Sequence, residues 1–71
     1  MKDPLNVKLG LAIRKARLKK GWSMMKLAGE TDLSTNYIGN IERGEKSLTV
    51  KVLVKIGKAL EHPAEKWIKS L

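Results

Sequence analysis

Ser23 and Ser34 each stand directly before a short segment with helical apolar spacing, and only Asp32 and Leu33 separate the first segment from the second serine. A serine in this position accepts a hydrogen bond from a backbone N–H of the first turn that no other group would satisfy. The pattern predicts two short helices, residues 24–31 and 35–43, joined by a tight turn, with Gly44 ending the second. Leu27 and Ala28 on the first, Leu33 in the turn, and Ile38 and Ile41 on the second can meet in one apolar seam. Ala28 is small where the helices must cross. A pair packed this way leaves the far face of the second helix outside the core.

The rest of the chain is helical too. Leu9, Ala12, Ile13 and Ala16 recur at i, i+3, i+4 and i+7 and predict a buried stripe on a helix over residues 6–20. Lys19 and Lys20 suit the negative end of its dipole, and Gly21 stops it. Met25 joins Leu27 and Ala28 as an apolar residue of the second helix expected in the core, and Tyr37 stands beside the buried positions of the third. Thr49 is a cap for a fourth helix over 50–60, expected to bury Val50, Leu53, Ile56, Gly57 and Leu60. Pro63 suits the first turn of a fifth helix ending near 69, with Ala64, Trp67 and Ile68 as core-facing residues. No alternating run suggests a strand. The expectation is an all-α, five-helix fold forming one domain over residues 1–71.

The 71 residues carry a formal net charge of +8 and no cysteine. Disulfide stapling and thiolate metal sites are excluded, and the excess charge favours a polyanionic partner. Asp3 and Pro4 stand where a signal peptide would need an apolar run, and no stretch approaches the roughly 20 apolar residues of a membrane span. A cytoplasmic protein with no membrane partner is expected. The single histidine, His62, reads as an exposed loop residue. With no clustered carboxylates and no nucleophile–base pair, the chain reads as a non-enzyme. No metal, cofactor or small-molecule effector is expected. The aromatics used for stacking single-stranded RNA are missing. Trp22 and Trp67 read as core or interface residues.

The third helix is a poor one by propensity. Thr35, Asn36 and Asn40 are mediocre helix formers, and Gly39 costs about 1 kcal/mol against alanine. Such a face makes sense if it is selected for contact rather than stability. Here the chain resembles a known family. Leu9-Gly10 with Ile13-Arg14 and Arg17, Gly21-Trp22-Ser23, Leu27-Ala28, Leu33-Ser34, Tyr37-Ile38, Ile41-Glu42-Arg43-Gly44 and the run from Lys55 to Leu60 look like the phage repressor and Cro-type helix-turn-helix family. The resemblance runs from about Leu9 to Ile68. It implies a lambda-repressor-like five-helix domain that binds double-stranded operator DNA as a two-fold homodimer, with the third helix in the major groove.

Carried over by position, the resemblance puts base-edge contacts on Thr35, Asn36, Gly39 and Asn40. The chemistry suits this, because asparagine can bond adenine N6 and N7 together and a threonine methyl can touch a thymine methyl. Gly39 would serve by close approach. Phosphate contacts are expected from Ser23 at the start of the second helix, where unpaired N–H groups favour an anion. Ser34, Arg43, Lys46 and Ser47 would add others, and Tyr37 either bonds a phosphate or packs. The resemblance makes Arg17 and Glu42 a partly buried ion pair between the first and third helices. It places the dimer surface at the end of helix four and on helix five: His62, Ala64, Glu65, Trp67, Ile68 and Leu71.

The chain departs from the family pattern at four positions. Met24 replaces a phosphate-binding glutamine, Asp32 a turn glycine, Leu48 a proline and Glu61 a glycine. The expected function is transcriptional regulation, as a repressor or autoregulatory controller sensing its own concentration. The rival is an antitoxin-type interaction module that also binds its own promoter. The extra toxin-binding segment often found in such modules is not expected after Leu71.

Overall fold

Asp3 starts the first helix. Its carboxylate accepts a hydrogen bond from the Leu5 N–H at 2.8 Å, and Pro4 follows with a fixed φ and no N–H to satisfy. In the computed structural model, which describes residues 2–71, α1 therefore spans Pro4–Lys19 and begins two residues earlier than the apolar pattern alone suggests. It is followed by α2 (Met24–Thr31), α3 (Thr35–Glu42), α4 (Val50–Ala59) and α5 (Ala64–Lys69). The described residues form no strand.

The caps predicted for the middle helices are in place. Ser23 Oγ accepts from the Lys26 N–H, Ser34 Oγ from the Tyr37 N–H and Thr49 Oγ1 from the Val52 N–H, at 3.0, 3.0 and 3.1 Å. Gly21 and Gly44 take positive φ after α1 and α3, and Asp32 and Glu61 do the same after α2 and α4. Asp32 bears the left-handed conformation in the turn because its short polar side chain tolerates it. The Leu33 N–H then returns to the Ala28 carbonyl at 3.0 Å and closes the α2 end. Pro63 stands just before α5, as its cap residue, rather than inside the first turn.

One core gathers residues from every helix: Leu9, Ile13, Leu27, Ala28, Ile38, Ile41, Leu53, Ile56, Leu60 and Trp67. Burying each large aliphatic side chain is worth about 1.5–3 kcal/mol. At Gly10, α1 crosses α3 so closely that a β-carbon would collide with the Ile41 carbonyl oxygen. Thr31 is also fully buried, its hydroxyl donating to the Leu27 carbonyl at 2.7 Å.

Three residues expected in the core lie outside it. Met25 is 73% exposed, because Met24, Leu27, Ala28 and Thr31 set the inward face of α2 and Met25 points away from it. Val50 is 70% exposed, since it lies with Val54 along the outer edge of α4 while Leu48 and Val52 pack against the core instead. Ile68 is 50% exposed, because Trp67 takes the inward position of α5.

Candidate nucleic-acid interface

The α2–turn–α3 unit presents the outer face of α3 as expected. Thr35 and Asn36 are exposed in its first turn. Tyr37 is half-buried against the core to which Ile38 and Ile41 of the same helix belong. Ser23 and Ser34 each use an oxygen lone pair for capping and keep a hydroxyl proton to donate. Both helices start here with backbone N–H groups and a positive dipole end. Lys46 and Ser47 are exposed beyond α3, and Ser47 Oγ accepts from the Asn6 side-chain amide at 3.2 Å.

Arg43 and Asn40 are not independent. The Arg43 Nη2 donates to Asn40 Oδ1 at 2.7 Å, and its Nε donates to Glu45 Oε1 at 2.6 Å. The guanidinium lies back along α3 over Gly39, where a β-carbon would approach Nη1 at 3.0 Å. Gly39 is thus buried beneath Arg43, and Asn40 is half-buried. The hydrogen bond from Arg43 also holds the Glu45 carboxyl below the usual glutamate range.

Beneath this surface Arg17 and Glu42 form the expected pair, and it is almost fully buried. Arg17 Nε and Nη2 donate to the two Glu42 carboxylate oxygens at 2.7 and 2.9 Å, and Nη1 donates to the Trp22 carbonyl at 2.7 Å. The carboxylate raises the Arg17 pKa and keeps the guanidinium charged. The pair ties α1, the segment before α2, and the end of α3 together, so it sets the pose of the exposed face.

The sequence profile of the helix-turn-helix family matches residues 13–66. The chain belongs to the Cro/C1-type helix-turn-helix family of DNA-binding transcriptional regulators. It is 38% identical over 60 residues to the HTH-type transcriptional regulator SutR of Escherichia coli, covering 84% of this chain and 34% of SutR. It therefore spans about a third of that relative. It is 39% identical over 61 residues to the control protein C.BamHI of Bacillus amyloliquefaciens, covering 84% of this chain and 75% of C.BamHI. The restriction-modification controller C.Esp1396I, solved as a tetramer with its natural 35-base-pair operator, superposes with a TM-score of 0.86 at 35% identity. That match covers 97% of this chain and 91% of the controller.

Within this helix-turn-helix frame, two basic residues to which the sequence reading gave no role flank the face. Arg14 lines a small cleft with Met24, Gly39 and Arg43. Lys26, in the first turn of α2, lies over the Trp22 ring 5.4 Å from its centroid, and Lys20 does so at 4.8 Å. Arg14 could have been found in the sequence: it follows buried Ile13 on α1, one turn before Arg17.

The candidate dimer residues separate by exposure. Glu65, Ile68 and Leu71 are exposed and Ala64 is half-buried. Trp67 belongs to the core at 3% exposure, so its side chain is not available to a partner surface. His62 is not the exposed loop residue expected from sequence. It is half-buried and stacks on Trp67 with ring centroids 4.4 Å apart and planes within 12°. Val54, absent from the expected set, lines a groove with Pro63, Ala64 and Glu65. No helix among the described residues is long and apolar enough to cross a membrane.

Proposed function

We propose that this chain binds a two-fold symmetric operator as a homodimer and regulates transcription, as a repressor or an autoregulatory controller. The observation that carries the reading is the outer face of α3. Thr35, Asn36 and Asn40 line a side that the core does not use, next to two helix starts that favour phosphate. The operator complex of C.Esp1396I supports the same use of this fold. The net charge of +8 supplies the sequence-independent attraction, and the α3 side chains supply discrimination.

On this reading the partner copy meets the groove that Val54 of α4 lines with Pro63, Ala64 and Glu65, and exposed Ile68 of α5 is a second apolar residue open to it. Lys58, Glu61 and Glu65 border it with both signs of charge. Two α3 helices related by a two-fold axis would enter successive major grooves about 34–36 Å apart.

Selection from random duplex DNA tests the reading. The wild-type chain should enrich an inverted repeat, and Asn36→Ala and Asn40→Ala should each remove preference at one position per half-site. Equal enrichment by both variants and the wild type would reject α3 as the reading helix.

A further inference from the structure

We infer that Arg43 fixes the hydrogen-bonding polarity of Asn40, so that Asn40 meets the duplex as a donor and selects guanine. The inference rests on the reading of α3 as the helix that enters the major groove.

A guanidinium carries N–H donors and no acceptor. With Arg43 Nη2 at 2.7 Å, the Asn40 amide must turn its oxygen toward Arg43 and its NH2 group away. Arg43 is itself held from the other side by Glu45 Oε1 at 2.6 Å from Nε. It lies across Gly39, the one residue type that leaves this space open. The three contacts belong to the last turn of α3 and the turn after it, so they form without DNA.

An asparagine with both ends available reads adenine, accepting from N6 and donating to N7. Asn40 Oδ1 already accepts from Arg43, so the first half of that contact falls to its remaining lone pair, beside a bound cation. A donor brought from adenine N6 to Asn40 Oδ1 would sit against the cationic guanidinium already there. The NH2 group that remains matches the adjacent acceptors O6 and N7 of guanine. Arg43 thereby acts on specificity through Asn40, as a positioning residue, in addition to any phosphate it neutralises.

The test is selection from random duplexes by the full chain, with thermal melting as a check on folding. Arg43 is largely exposed, so Arg43→Met leaves the core untouched. The wild-type site should contain a guanine that is lost in Asn40→Ala. Arg43→Met should convert that guanine to adenine, changing the guanine-to-adenine preference by about ten-fold or more. Glu45→Gln, which loosens Arg43 without removing it, should weaken the guanine preference in the same direction. A wild-type adenine that depends on Asn40, or a guanine retained in Arg43→Met, would overturn the inference while leaving α3 as the reading helix. Absence of any enriched sequence with the wild type would overturn that reading itself, and the inference with it.

Discussion

Arg17 clasps Glu42 through two parallel hydrogen bonds, and the same guanidinium holds the Trp22 carbonyl at 2.7 Å. The pair therefore serves as a joint between α1, the α2 cap region and α3. Its two charges are satisfied by each other in a place with little water. Removing one partner strands the other. Glu42→Ala should lower stability by about 3–5 kcal/mol, and urea unfolding will measure it. Replacing both by apolar residues, Arg17→Met with Glu42→Leu, should recover much of that loss. A Glu42→Ala protein with wild-type stability would show that the joint is not needed.

Gly10 and Gly39 should respond to alanine with opposite signs. At Gly10 the added carbon meets backbone carbonyls of α3, which cannot move without shifting the helix. Overpacking of this kind costs about 1–3 kcal/mol. At Gly39 the added carbon meets only the end of an exposed, flexible arginine. Alanine is the better helix former by about 1 kcal/mol, so Gly39→Ala should raise the melting temperature while pushing Arg43 off its seat. Calorimetry on the two variants decides the signs.

The pH behaviour of the α3 end follows from Glu45. Its carboxyl titrates lower in the folded chain than in the unfolded one, chiefly because of the hydrogen bond from Arg43. Folding with this contact is therefore favoured above the ordinary glutamate range, and the contact is lost as pH falls through the lowered folded value. Both groups are solvent-exposed, so the effect on global stability is small. A carboxyl-detected NMR titration should find Glu45 below the ordinary range in the wild type and back within it in Arg43→Met. Glu61 should show the same displacement through Lys20, and Lys20→Met should remove it.

Lys46 tests the electrostatic part of DNA binding. It is exposed just beyond α3, where a phosphate strand would pass. Lys46→Ala should weaken binding about equally for all sequences. It should also reduce the slope of log affinity against log salt by about 1. A change confined to one base position would instead make Lys46 a base reader.

What the sequence made legible follows from how local each signal is. Ser23, Ser34 and Thr49 cap through bonds to residues three positions away, so their positions alone locate the helices. Asp3 gives an equally local signal, yet the apolar stripe starting at Leu9 drew the helix start inward. Met24 and Met25 are adjacent and both apolar on a helix of 8 residues, too short for periodicity alone to choose which faces in. Leu27, Ala28 and Thr31 settle it through packing. Val50 has helical spacing to Leu53 and Gly57, but other residues fill the core where it would have to reach. The i, i+3 spacing of Asn40 and Arg43 permits their contact without requiring it. The space over Gly39 and the turn carrying Glu45 decide that Arg43 lies back along the helix. The outward position of Thr35 and Asn36 was readable; the covering of Gly39 by Arg43, and its hold on Asn40, was not.

Val54 and Ile68 test the proposed dimer. Val54 lines the α4–α5 groove, and Ile68 lies one turn beyond Ala64 on α5. Both are exposed and neither belongs to the buried core, so charge can be introduced there without opening it. An interface core tolerates an unpaired charge poorly, because the charge loses its water on association. Val54→Arg and Ile68→Glu should each weaken self-association at least about ten-fold, equivalent to about 1.4 kcal/mol, in sedimentation velocity over a concentration series. Circular dichroism should be unchanged. Because two half-sites are bound together only by a dimer, operator affinity should fall with them, while binding of a lone half-site should change little. If both variants kept the wild-type sedimentation profile, the two copies would have to meet through another face of the molecule.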